Sequence, residues 1–126
     1  MRRGRGYAQH YFYEDRDGYS QLIEYIEELK SRTDKDSRIK LNKINEYIFM
    51  LAESGTLLPA NIAKHLDGEI WELRPIRDRI LFAGVFGDSF VLLHSFVKKT
   101  QKTPKREIEQ AKRELDDFID RNSEGE

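Results

Sequence analysis

Two apolar runs, RILFAGVF at residues 79–86 and SFVLLHSFV at 89–97, stand on either side of the dipeptide Gly87-Asp88. Runs rich in β-branched and aromatic residues, parted by a Gly-Asp pair, read as two strands joined in an antiparallel hairpin. A strand sends alternate side chains to opposite faces, so a sheet wet on one side is apolar only at every second position. Here apolar residues fall at both parities. The sheet is therefore largely covered on both faces, or it keeps a concave second face that a partner closes. The rest of the chain has to supply that cover.

Two amphipathic stretches meet the need. Ser20 caps a helix carrying Leu22, Ile23, Ile26 and Leu29 at helical spacing. Ser37 is the next cap candidate, followed by Leu41, Ile44, Ile48 and Leu51 before a stop at Gly55. The short link SRTDKD favours an antiparallel helical hairpin that buries its apolar stripes against a sheet. HYFYED reads as a first strand ending at the turn DRDG, and EIWELR as a strand ahead of the central pair. Residues 55–67 read as irregular, with HLDGEI a turn leading into that strand. Thr103 and Pro104 start a last helix with Ile108, Ala111, Leu115 and Phe118 on one side. The expected class is α+β in the order β-α-α-β-β-β-α, as one domain spanning 1–126, with 1–6 and 122–126 lacking fixed structure.

Composition removes several kinds of chemistry. With no cysteine there is neither a disulfide framework nor a thiol nucleophile nor a thiolate zinc site, which suits a reducing cytoplasm. No apolar run approaches the roughly 18 residues of a membrane span, and MRRGRGYAQHYFYED has no secretory h-region, so a cytoplasmic protein away from membranes is expected. His10, His65 and His94 lie far apart, without the spacing of a metal site. No serine sits in a nucleophile elbow, and GVFGDS lacks the following helix of a phosphate cradle.

Charge is unevenly distributed despite a formal net of -1: residues 56–106 hold nine Lys and Arg against five Asp and Glu, while the last helix is strongly acidic. A local basic field on a neutral body suits one anionic ligand. Its candidate members are Arg74 at one strand end, Arg79 at the next strand start, and Lys98, Lys99 and Lys102 after the last strand. Arginine presents a planar fork to phosphate oxygens, and lysine can donate or accept a proton. Against this stands a plainer reading in which the arginines pair with Glu72 and Asp78. His94, alternating with Leu92 and Phe96, reads as a half-buried structural histidine, and Trp71 and Phe96 as core. Lys64 and His65, in a loop, are candidates for RNA contact.

KHLDGEIWELRP, DRILF and FVKKTQKTPKREIEQAKREL together resemble HigB-type toxins of the RelE/ParE superfamily, in its branch of phage-derived toxin-like proteins, and the likeness runs from FYEDRDG to AKREL. It implies a twisted antiparallel sheet with the helical hairpin on one face and a concave RNA-binding surface on the other. It also implies a cofactor-free endoribonuclease that cuts mRNA on the ribosome by attack of the ribose 2′-OH, with no metal. By position, Arg79 would bind the scissile phosphate, and Arg74 would bind phosphate or help activate the 2′-OH. Lys98 or Lys99 would protonate the 5′-oxygen or stabilise charge, and strand alternation alone does not choose between them. Gln101 and Lys102 would contact the RNA backbone. Implied partners are a HigA-like helix-turn-helix antitoxin, mRNA and ribosome, and operator DNA only through the antitoxin complex. RelE-type toxins carry a tyrosine near the site on their C-terminal segment, and none follows Thr100 here, which leaves the proton-transfer residue open. Two rivals share the pattern: a ParE-like inhibitor of DNA gyrase and a non-catalytic RNA-binding module.

Overall fold

The computed structural model describes residues 9–123, so the expectations for residues 1–6 and for the final Glu-Gly-Glu lie outside the described residues. The chain is α+β. Strand β1 (Gln9–Phe12) precedes helices α1 (Gln21–Ser31) and α2 (Lys35–Ser54). A short 3-10 turn (Gly55–Leu57) leads into β2 (Ala63–Asp67), β3 (Ile70–Leu73), β4 (Asp78–Val85) and β5 (Ser89–Val97), and α3 (Lys105–Ser123) closes the order. Asn122 and Ser123 extend that last helix, where loss of structure was expected.

The sheet runs β1-β5-β4-β3-β2. Its centre is the hairpin that the two apolar runs announce, with Val85 opposite Ser89 and Asp78 opposite Val97. Two features depart from expectation. The sheet is mixed, because β1 lies parallel to β5. Strands joined by a tight turn must be antiparallel, but nearly the whole fold separates these two, so either direction is open to them. There is also one more strand than the pattern showed. HLDGEI is not a lead-in but the tip of a β2–β3 hairpin, with Gly68 at φ +57 in the left-handed region and Asp67 opposite Ile70. Ala63-Lys64-His65 lacks β-branched residues, and its exposed edge position owes its form to pairing with β3 rather than to propensity.

Apolar residues at both parities now have a physical account. Leu73, Ile80, Phe82 and Leu92 point to one face, where α1 and α2 bring Leu22, Ile26, Leu29, Ile44, Ile48 and Leu51. Ile70, Leu81, Ala83, Val85, Val91 and Leu93 point to the other, under Ala111, Leu115 and Phe118 of α3. A bulge lies where Leu81 pairs with His94 but Phe82 pairs with Leu92. The extra residue, Leu93, packs in the α3 cluster beside His94, which meets α3 through its ring nitrogens. The face expected to stay open as a concave surface is thus largely taken by α3.

The helix starts repay a closer look. Ser20 caps α1, accepting from the Ile23 amide at 3.2 Å. At α2 the cap is Asp34 rather than Ser37: its carboxylate accepts from both the amide and the hydroxyl of Ser37, each at 2.9 Å. Ser37 lies in the first turn as the partner of the cap. Gly55, at φ +58, ends α2 by donating its amide to Leu51.

Candidate nucleic-acid interface

Between the end of β3, the start of β4 and the segment joining β5 to α3 lies a cleft of about 510 Å³. Chain direction alone brings its cations together. β3 and β4 are antiparallel, so the end of one and the start of the next share an edge, and β5 pairs with β4 and finishes at that same edge. Arg74, Arg79, Lys98, Lys99, Gln101 and Lys102 all line the cleft.

Arg79 sits deepest, 6% exposed. Its Nη1 donates to the carbonyls of Ile76 at 3.0 Å and Asp78 at 2.8 Å, and among the described residues no carboxylate pairs with it. The remaining guanidinium nitrogens have no partner there, and they are not among the fully buried unsatisfied atoms. Burial, then the nearby Arg74 charge, holds its pKa below the usual arginine value. An anion in the cleft would relieve both effects. Asp78, expected as its ion-pair partner, turns instead to the hairpin face, where it accepts from Tyr25 at 2.7 Å and lies 3.9 Å from Lys40. Alternation explains this, since adjacent strand residues point to opposite faces.

Arg74 does meet its expected acid, with Nε 3.5 Å from Glu72 Oε1, and Nη1 donates to the Ala60 carbonyl at 3.3 Å. The plainer ion-pair reading thus holds for this arginine and not for Arg79. Glu72 is the residue that sequence reasoning undervalued. It is only 2% exposed, lines the cleft beside both arginines, and accepts a hydrogen bond from Thr103 Oγ1. A glutamate in WELR flanked by arginine resembles any surface pair. Its burial becomes visible only once Thr103, far along the chain, folds over it.

Lys98 and Lys99 both line the cleft, because β5 ends at Val97 and strand alternation no longer governs them. Lys98 is the more tightly placed: its amide donates to the Arg77 carbonyl at 2.8 Å, and Arg77 Nη2 donates back to its carbonyl at 3.0 Å. Neither lysine makes an ion pair among the described residues. Lys64 and His65 lie elsewhere. Both are on edge strand β2 rather than in a loop, and neither is part of the cleft lining. His65 Nε2 shares a 2.8 Å hydrogen bond with the Gly68 carbonyl, and the ring stands 5.3 Å from that of Trp71. Lys64 is paired across the strands with Glu72.

His94 lies behind the cleft and is not part of its lining. It is 3% exposed, with Nδ1 2.7 Å from Glu114 and Nε2 2.9 Å from Glu107, so both ring nitrogens face carboxylates of α3. Burial pulls its pKa down, but the hydrogen bonds and charges of Glu114 and Glu107 outweigh that and raise it. The His94 ring pins α3 across the sheet, and Glu107 forms part of the cleft wall. His94 is thus more buried than its alternation suggested, and both nitrogens are occupied. Among the described residues no group of three His, Asp or Glu is placed to hold a metal ion, and no helix is long and apolar enough to cross a membrane.

A helical hairpin on one face, a helix across the other and a basic cleft at one sheet edge give the fold class of RelE-like toxins. Residues 20–116 match the phage-derived Gp49-like protein family (DUF891), and the chain belongs to it, a family of RelE/ParE-like toxins. No curated protein matches the chain.

Proposed function

We propose that this protein is a HigB-type toxin of a toxin–antitoxin pair: a ribosome-dependent mRNA endoribonuclease that arrests translation. The observation that supports the reading best is the convergence of Arg74, Arg79, Lys98, Lys99 and Lys102 on one cleft around a buried carboxylate. With Arg106 the cleft lining holds six cations against the carboxylates Glu72 and Glu107, and the excess suits the charge of a phosphate in transfer.

In this reading Arg79 binds the non-bridging oxygens of the scissile phosphate through its free nitrogens, held from behind by the Ile76 and Asp78 carbonyls. Glu72 takes the proton of the ribose 2′-OH, and Thr103 and Arg74 hold its carboxylate in place. The 2′-oxygen forms a bond to phosphorus as the bond to the 5′-oxygen breaks. The leaving oxygen receives its proton from the Lys98 or Lys99 ammonium, giving a 2′,3′-cyclic phosphate and a 5′-OH. Arg74 and Arg79 stabilise the charge built up between these events, and Gln101 and Lys102 hold the RNA backbone. A HigA-like helix-turn-helix antitoxin would neutralise the activity.

Mapping mRNA 5′ ends after induction tests this directly. Cuts within codons that vanish with Arg79→Ala and slow with Glu72→Gln are expected. Intact transcripts with broken or unreplicated DNA would replace this reading with gyrase inhibition, and intact transcripts and DNA would leave a non-catalytic RNA-binding module.

A further inference from the structure

The cleft does not end at the lysines. Arg77, Lys98, Lys99, Thr100 and Gln101 surround a second depression of about 250 Å³ that shares four of these residues with the cleft. Arg77 in turn lines a third cavity, of about 580 Å³, between the helical hairpin and the β3–β4 turn, together with Ile76, Tyr25, Lys40 and Arg32. The three hollows form one chain around the sheet edge. Its middle link holds three cations and no acid.

The far cavity holds three cations, Arg32, Lys40 and Arg77, and three acids, Glu28, Asp34 and Asp36. Glu28 is paired with Arg32 at 3.0 Å, and Asp34 caps α2 through both carboxylate oxygens. Lys40 Nζ stands 3.0 Å from the Tyr25 hydroxyl at its wall. At the crest sits Ile76, with φ +56 and 49% exposed. A β-branched residue in the left-handed region is strained, and nothing in the core requires this side chain. An exposed apolar group held in strained backbone beside the cationic rim is suited to lie against a flat, apolar surface such as a nucleobase.

We infer that single-stranded RNA flanking the cut leaves the cleft over the rim of Arg77, Lys98 and Lys99 and enters the hairpin-side cavity. Arg77 and Lys40 hold successive phosphates there, and Ile76 packs against the base between them. The inference rests on the endoribonuclease reading and adds a path to it. An acidic protein segment could meet the same cations, but it has no use for an exposed apolar crest between Arg77 and Lys40. RNA satisfies both.

The test uses the full chain and 2′-O-methyl oligoribonucleotides, a tetramer and a decamer, which bind without being cut. At low salt the decamer is expected to bind tighter than the tetramer. Arg77→Glu should bring the decamer down to the tetramer, about tenfold, with tetramer affinity unchanged. Ile76→Gly should raise the melting temperature by relieving strain, yet weaken the decamer severalfold. Equal affinity of the two oligomers for the wild type, or a decamer indifferent to Arg77→Glu, overturns the path while leaving Arg79-dependent cleavage standing. Loss of antitoxin binding in Arg77→Glu with the decamer unaffected assigns the rim to a protein and also overturns it. A wild type that binds neither oligomer overturns the path, while the reading of the cleft stands or falls with Arg79-dependent cleavage on the ribosome.

Discussion

The two faces of the sheet are covered by helices of opposite character. On the hairpin face, α1 and α2 bury a continuous apolar layer against Ile80, Phe82 and Leu92. On the other, α3 is divided: Ala111, Leu115 and Phe118 pack on Leu81, Ala83, Val91 and Leu93, whereas its beginning meets the sheet through Glu107, His94 and the Glu72–Thr103 pair. The first face holds the fold together, and the second divides its length between packing and the proposed site. Burial alone does not separate them, since Arg79, Glu72 and His94 are nearly as buried as the core leucines. They differ in what their polar atoms meet: carboxylates for His94, carbonyls and an open cleft for Arg79.

That contrast breaks first under truncation. Phe82 is fully buried on the hairpin face and stacks on Phe90 at 5.7 Å. Phe82→Ala should cost about 3–5 kcal/mol in denaturant unfolding by leaving a cavity. Arg79→Ala should do the reverse, slowing cleavage by about 10²–10³-fold, the usual scale for a lost charge-stabilising donor, while the denaturation midpoint stays near wild type. An Arg79→Ala protein as unstable as Phe82→Ala would show that this arginine belongs to the core and not to a site.

His94 tests the seam between the two halves of α3. His94→Gln removes a buried charged hydrogen-bond partner of two glutamates and should cost about 1–3 kcal/mol at neutral pH. The pH dependence has a definite sign. Because the pKa of His94 is raised in the fold, its contribution is fully present below about 6.5, the unfolded value, and is lost as pH rises through the raised value. The stability gap between wild type and His94→Gln should therefore narrow on the alkaline side. A gap that widens there would mean the ring is neutral between the two carboxylates.

How far the sequence carried the reading follows the same division. Apolar periodicity is a local signal, and it located the three helices, the central hairpin and the need for cover on both faces. What it missed depends on contacts between distant residues. β2 takes its strand form from β3, Asp34 displaces Ser37 as cap by one hydrogen-bond geometry, and β1 is parallel because nothing short ties it to β5. Strand ends and unpaired lysines pointed to the sheet edge where the cleft lies, since charge without a neighbouring acid is visible in the chain. The buried state of Glu72 was not, because Thr103 and Arg74 create it together. Arg77, which carried no sequence signal of its own, binds the Lys98 carbonyl and stands at the rim.

The smallest expected effect lies at the far end of α3, where its other polar contact can be set against the His94 seam. Asp117 accepts from the Tyr13 hydroxyl at 2.7 Å and from Arg121 at 2.7 Å, and Arg16 lies 3.2 Å away. These partners, Arg121 first and then Tyr13, hold its carboxyl down at about 2. A depressed pKa gives stability that is present above the unfolded value, near 3.9, and lost as pH falls through the folded one. Asp117→Asn should therefore be slightly less stable than wild type at neutral pH, the loss reduced by solvent screening at this rim, and the gap should close between about pH 4 and 2, which flattens the acid limb. His94→Gln changes the alkaline limb and Asp117→Asn the acid one, so acid and base titrations of the double variant should show the two changes side by side. If either substitution altered both limbs, α3 would be held by one coupled network, and the division of its length into a packing half and a site half would fail.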